Sequence, residues 1–106
     1  MPKYLIQGSY SQQGAKGLLQ EGGSKRREAV DQSIKGMGGR LEAFYYAFGS
    51  DDFAIIVDLP SNMDAAALSF AINATGAVES RTTVLITPEE VDQATKKTVQ
   101  YRPPGR

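Results

Sequence analysis

GRLEAFYYAFGSDDFAIIVDLP, residues 39–60, reads as one β-hairpin with apolar side chains on both faces of both strands. Successive strand residues point to opposite sides of a sheet. Along residues 40–48 this alternation puts Leu41, Ala43, Tyr45 and Ala47 on one face, and Phe44, Tyr46 and Phe48, with Glu42 among them, on the other. Along residues 53–58, Phe53, Ile55 and Val57 oppose Ala54 and Ile56. Gly49, Ser50, Asp51 and Asp52 are turn residues between the strands, and Pro60, which cannot donate to a ladder, ends the pairing.

On the N-terminal side, residues 3–9 form a short strand with Tyr4, Ile6 and then Tyr10 on one face and Leu5 on the other. Residues 11–23, SQQGAKGLLQEGG, hold four glycines and read as a long loop with a helical turn near Leu18. Loops of this length are either lids over a site or plain surface connections. The glycines match no phosphate-binding pattern, since no Gly-Lys-Ser/Thr run follows. Ser24 is placed to cap a helix running to about Met37, with Val30, Ile34 and Met37 on one face, and Gly38-Gly39 stops it. On the C-terminal side, Ser61 with Asp64 starts a second helix whose expected buried stripe is Met63, Ala67, Phe70, Ala71 and Ala74, closed by Gly76. Residues 77–87 make a fourth strand, with Val78, Val84 and Ile86 sharing a face. Thr87-Pro88-Glu89-Glu90 is a capping sequence with proline at the first helical position, and it predicts a short helix to about Thr98. Residues 1–98 are read as one domain and 99–106 as a flexible tail.

The order β-α-β-β-α-β, with right-handed crossovers, predicts an α+β protein of ferredoxin-like arrangement: a four-stranded antiparallel sheet, both helices on one face, and the first and third strands central. The helices leave one sheet face bare. Large apolar patches are rare on monomers, so a second copy is expected to cover it, with a two-fold dimer as the simplest closed assembly. The rival cover is the tail helix folded back over the sheet.

Composition narrows the chemistry. The chain has 106 residues, 12 basic and 12 acidic side chains, and neither Cys nor His. A neutral chain lacks the basic footprint of a nucleic-acid binder. Without Cys or His there is no thiolate nucleophile, no Ser-His-Asp triad, and none of the usual zinc, copper or haem ligation. A general base would have to be Asp, Glu, Lys or Tyr. No apolar run is long enough for a signal peptide or a membrane span. The expectation is a cytoplasmic protein with no membrane or nucleic-acid partner and no cofactor.

Met37-Gly38-Gly39-Arg40-Leu41, Ala43-Phe44-Tyr45 and Gly49-Ser50-Asp51-Asp52-Phe53, together with the Ala-rich second helix and Arg81-Thr82-Thr83, resemble the GYD-domain family of small bacterial proteins. The resemblance spans about residues 3–90 and leaves out the tail helix. Gly49 and Asp52 match the Gly-Tyr-Asp-type element, while Asp51 stands where Tyr is expected. The family is similar to dimeric α+β barrel proteins, in which two ferredoxin-like sheets face each other. That group includes cofactor-free monooxygenases, isomerases, haem-handling enzymes and regulatory ligand-binding domains. The resemblance therefore implies the fold and the dimer and leaves the chemistry open.

Five residues are candidate ligand contacts. Tyr10 and Tyr45 each offer an apolar ring and an orienting hydroxyl, as does Tyr46 beside them. Arg40 and Arg81 would clamp a carboxylate if they face a cavity. Asp52, at the strand start, would be a base or hydrogen-bond acceptor. Asp51-Asp52 also suggests a hard-cation site, but adjacent strand residues point apart, so turn chemistry is the better reading and no metal is assigned. Lys25-Arg26-Arg27 at a helix start opposes the helix dipole and hints at an anionic partner. Asn73 either reaches a ligand or frames the end of its helix. Three functions follow, in order: a small-molecule-binding or regulatory homodimer, a cofactor-independent enzyme acting on an aromatic or carbonyl compound through Tyr45, Asp52 or Arg81, and a structural or partner-binding module.

Overall fold

The computed structural model describes residues 1–106. Its elements are β1 (Lys3–Tyr10), α1 (Gln12–Glu21), α2 (Gly23–Gly36), β2 (Arg40–Tyr46), β3 (Phe53–Asp58), α3 (Asn62–Ala74), β4 (Val78–Leu85) and α4 (Pro88–Thr95). The four strands make one antiparallel sheet in the order β2-β3-β1-β4. This is the ferredoxin-like arrangement, with β1 and β3 central.

The sheet registers sort the side chains into cross-strand rows. On the helix-covered face, Leu41, Val57, Tyr4 and Val84 form one row and Phe44, Ile55, Ile6 and Thr82 the next. Tyr4, Ile6, Phe53, Ile55 and Val57 from this face join Ile34 of α2, Leu59 just after β3, and Ala65 of α3 in the buried core. On the bare face lie a charged row (Arg40, Asp58, Lys3), an apolar row (Ala43, Ile56, Leu5) and a third containing Tyr45, Ala54, Gln7 and Arg81.

Four expectations are corrected. Residues 11–23 are not a loop: α1 occupies most of them, with the Ser11 hydroxyl accepting from the Gly14 amide at 3.2 Å. Gln, Ala, Lys and Leu are good helix formers and outweigh Gly14 and Gly17. Gly14 serves packing, since a Cβ there would lie 2.0 Å from the Ala77 carbonyl oxygen. Ser24 is not the cap of α2: Gly22, at φ +88°, holds that position without a side-chain bond. In β2 a bulge between Leu41 and Ala43 shifts the register, so Leu41 joins Phe44 and Tyr46 on the helix face and leaves Ala43 and Tyr45 on the other. In α3 the inward residues are Ala65, Leu68 and Ile72, at helical spacing. The expected stripe is the opposite one, and Met63 and Phe70 stand 81% and 75% exposed. The helix is apolar nearly all round, so periodicity alone does not choose its inner face.

The remaining punctuation agrees with the sequence. Ser61 caps α3 through the Asp64 amide, and Thr87 and Glu90 form a reciprocal capping box at α4. After α2, Gly38 takes φ +81° and the Gly39 amide donates to the Ile34 carbonyl at 3.0 Å. Every residue of α4 and of the tail is exposed, so the tail helix does not cover the sheet.

Candidate functional site

A cavity of about 430 Å³ lies between the helix-covered face of the sheet and α1, α2 and α3. Ile6, Phe44, Phe53, Ile55 and Val78 of the sheet form its floor. Val30 and Ile34 of α2 line one side, and Leu68 and Ile72 of α3 the other. The cover is α1, through Gln13, Gly14, Gly17, Leu18 and Glu21. α1 has no buried residue of its own. It is held mainly at its start, where the Ser11 amide donates to the Ala77 carbonyl at 2.9 Å, and it ends at the positive-φ Gly22.

The polar groups of the lining divide in two. Ser33 and Thr75 are occupied locally, their hydroxyls donating to the carbonyls of Ala29 and Ile72. Tyr10, Gln13, Glu21 and Arg26 face the remaining space. Arg26 and Glu21 pair at 3.6 Å and keep 39% and 34% of their side chains in solvent, which places them at the mouth. The Tyr10 ring packs on Phe53 with centroids 5.5 Å apart. Burial, and secondarily the neighbouring Tyr46, pushes the Tyr10 hydroxyl up to about 12. It is therefore a neutral hydrogen-bonding group at physiological pH. The Tyr46 hydroxyl donates to the Gly23 carbonyl at 3.1 Å.

Of the five residues singled out from sequence, Tyr10 alone lines this cavity. The Asp52 carboxylate accepts from the Tyr10 amide at 2.9 Å, and its own amide donates to the Gly8 carbonyl, so it fastens the hairpin turn to β1. Tyr45 projects from the bare face, 71% exposed. Arg40 pairs with Asp58 at 3.1 Å. Arg81 makes a two-pronged pair with Asp51 at 2.9 and 2.8 Å, which holds the Asp51 carboxyl below its usual range. Asn73 braces α3 to β4 by accepting from the Ser80 amide and donating to its carbonyl. Gln13 and Glu21 were missed because they lie on α1, and Arg26 was read only as part of a charge cluster. An amphipathic reading of residues 12–21 was the signal that would have found the first two. No group of three or more carboxylate, His or Cys side chains is placed to hold a metal ion.

The sequence matches the family model described as the GYD domain over residues 4–95. The chain belongs to the GYD-domain family. No curated protein and no solved structure matches it. The GYD match runs through the last residue of α4, so the fourth helix is part of the family's module, whereas the sequence reading stopped the resemblance at residue 90. The Gly38-Gly39-Arg40 segment that carried the resemblance is the joint between α2 and β2, and its glycines are explained by the turn and by the approach of Gly39 to Asp58 and Leu59.

The close approach of Gly14 to Ala77 gives a direct test of the cover. In Gly14→Ala the new methyl cannot coexist with the Ala77 carbonyl. Because α1 has no fully buried residue, the strain is expected to lift the helix and not to unfold the domain. Stability should fall by only about 1 kcal/mol, while amides 15–22 lose most of their protection from hydrogen exchange. Unchanged protection in α1 would contradict this arrangement.

Proposed function

We propose that the protein is a non-catalytic small-molecule-binding or regulatory module, and that its ligand is a mainly apolar compound held under α1. The observation that carries this reading is the apolar cavity of about 430 Å³, within the ordinary range of ligand sites. The cavity opens to solvent at the Arg26–Glu21 mouth, so a ligand has both an apolar wall and a way in. An occupant that displaces water from these walls gains the free energy of burying apolar surface. Arg26 at the mouth suits an anionic group, and Gln13 and the Tyr10 hydroxyl suit a carbonyl or hydroxyl further in. Turnover has less support, because the cavity holds no base paired with a nucleophile and Tyr45, Asp52 and Arg81 lie elsewhere.

The test uses 1-anilinonaphthalene-8-sulfonate, an apolar ring system with an anionic head. Binding to the native protein is expected at micromolar concentration. Filling the cavity with Val30→Phe and Ile72→Phe together should weaken it at least about tenfold, with a cooperative melt retained, and Arg26→Gln should weaken it about threefold to tenfold. Equal binding by the filled variant would place the dye, and the proposed site, somewhere else.

The same reading includes a homodimer formed through the bare face of the sheet. The protomer exposes 7673 Å². A compact monomer of 11.4 kDa exposes roughly 5,800 Å², and the fully exposed residues 86–106 account for part of the excess. Ala43, Ile56, Leu5, Ala54 and Tyr45 form the apolar centre of that face. Sedimentation should give about twice 11.4 kDa at micromolar concentration, and Tyr45→Asp, which touches nothing in the protomer core, should shift it to monomer. A wild-type monomer at that concentration would remove the dimer.

A further inference from the structure

The sheet face accounts for only part of the unburied apolar surface. A second part lies on the other side of the sheet, along the edge where α3 meets β4. Ala65, Ala66, Ser69 and Phe70 of α3 and Thr82 and Val84 of β4 line an open groove of about 280 Å³ with no charged side chain in it. Met63 and Phe70 stand out along its helical bank. A third part is α4 itself. The capping box and Pro88 make α4 a specified helix, yet eight residues are too few to hold helical structure without packing. Val91, Val99 and Tyr101 are all exposed.

α4 is directed away from its own body. Only Ile86 and Thr87 separate it from β4, and Thr87 is extended at φ −76°, ψ 159°. Every residue from 86 to 106 is exposed, as expected of a segment that leaves the end of the sheet. The long axis of the chain is 56 Å and its radius of gyration 16.9 Å, against roughly 13 Å for a compact chain of this length. A helix so placed can bury its apolar side only on another molecule. Another copy of the chain carries the one neutral, helix-lined groove described here. Eight helical residues span about 12 Å, the same as the rise from Asn62 to Phe70 along α3.

We propose that α4 and the residues after it form an arm that docks on a second copy of this chain, in the groove between α3 and β4. This rests on the dimer reading above and extends it: each protomer receives its neighbour's arm, in helix-in-groove fashion. The arm then covers Phe70 and Val84, and its own helix gains the packing it lacks. It also explains why a family module that ends at residue 95 includes a helix with no half-buried or buried residue in its own domain.

The test keeps the full chain. Val91→Asp with Tyr101→Ser alters only exposed arm residues and is expected to raise the dimer dissociation constant at least about tenfold, read by sedimentation, with the melting profile of the protomer unchanged. The chain has no cysteine, so a mixture of Val91→Cys protein and Phe70→Cys protein reports contact cleanly: the mixed disulfide between the two is the expected main product under mild oxidation. Predominance of either homodimeric disulfide, or no disulfide, overturns the seat in the groove. If the arm variant dimerises within about twofold of wild type while Tyr45→Asp is monomeric, the arm is overturned and the sheet-face dimer stands. If wild type is monomeric, both fall.

Discussion

Gly39→Ala is expected to cost about 3 kcal/mol or more. A Cβ at residue 39 would lie 2.3 Å from the Asp58 carbonyl oxygen, 2.9 Å from Leu59 Cδ2 and 3.1 Å from Ile34 Cγ2. None of the three can yield easily. The Asp58 oxygen belongs to the backbone of a central strand, opposite Arg40. Ile34 and Leu59 are among the most deeply buried side chains of the core. Gly39 is not at positive φ, so the cost is one of space and not of backbone conformation. A domain of this kind has roughly 5–15 kcal/mol to lose, and ~1 kcal/mol moves the melting temperature by ~4–8 °C. The melt should therefore fall by roughly 12 °C or more. Gly36→Ala provides the control. It is the last residue of α2, a Cβ there meets nothing within 4 Å, and its φ is ordinary, so alanine should stabilise by ~0.5–1 kcal/mol through helix propensity. Melting temperatures of both variants decide the matter, and a Gly39→Ala protein melting with wild type would mean that the α2–β2 joint is misdescribed.

Gly38 and Gly39 show where sequence reading worked and where it stopped. Their role as a helix terminator followed from the local chemistry of glycine, and so did the caps at Ser61 and Thr87, because these signals act within a few residues and do not depend on the rest of the fold. The strand at residues 53–58 was legible for a related reason: a central strand is apolar on both faces, and residues 53–57 show this without interruption. The misread features depend on distant atoms. Gly14 signals a loop only until Ala77 is known to press against it. The β2 bulge, which puts Leu41 and Tyr45 on opposite faces, has no local signature among Arg40, Leu41, Glu42 and Ala43. The inner face of α3 is set by where Ile72 and Leu68 meet the sheet, and a helix nearly all alanine and large apolar residues offers two equal choices. These errors compound at the candidate site. Its cover is the helix taken for a loop, so Gln13 and Glu21 went unnoticed, while Arg40 and Arg81, plausible as strand cations, belong to ion pairs on the opposite face.

Asp58→Asn should destabilise the protein by roughly 2 kcal/mol at pH 7 and by progressively less as pH falls below about 3.9. Asp58 lies between two cations across the central strands: its carboxylate accepts from Lys3 Nζ at 2.9 Å and from Arg40 Nη2 at 3.1 Å. The Lys3 hydrogen bond, and then Arg40, hold its carboxyl below the ordinary range in spite of burial. Asparagine keeps the shape and loses both charge-assisted bonds. The cost is capped because Lys3 and Arg40 retain side-chain exposure of 29% and 65%, and Lys3 still has Glu42 at 2.9 Å. The sign of the pH effect follows from the depressed value. Above the unfolded-state pKa of about 3.9, the folded protein holds a carboxylate that the unfolded chain holds less favourably, so the stabilisation is complete. As pH falls through the lower folded-state value, the carboxylate is protonated in both states and the advantage over asparagine disappears. Lys3 works the other limit: Glu42, then Asp58, raise its pKa, so its share is intact below about 10.4 and is lost only above its raised value. Between pH 5 and 9 this row should contribute a flat plateau. Urea midpoints of wild type and Asp58→Asn at pH 7 and pH 2 measure both ends, with m-values checked for equality. A difference that persists undiminished at pH 2 would show that the asparagine disturbs packing, and that the pairing of Asp58 with Lys3 and Arg40 contributes little.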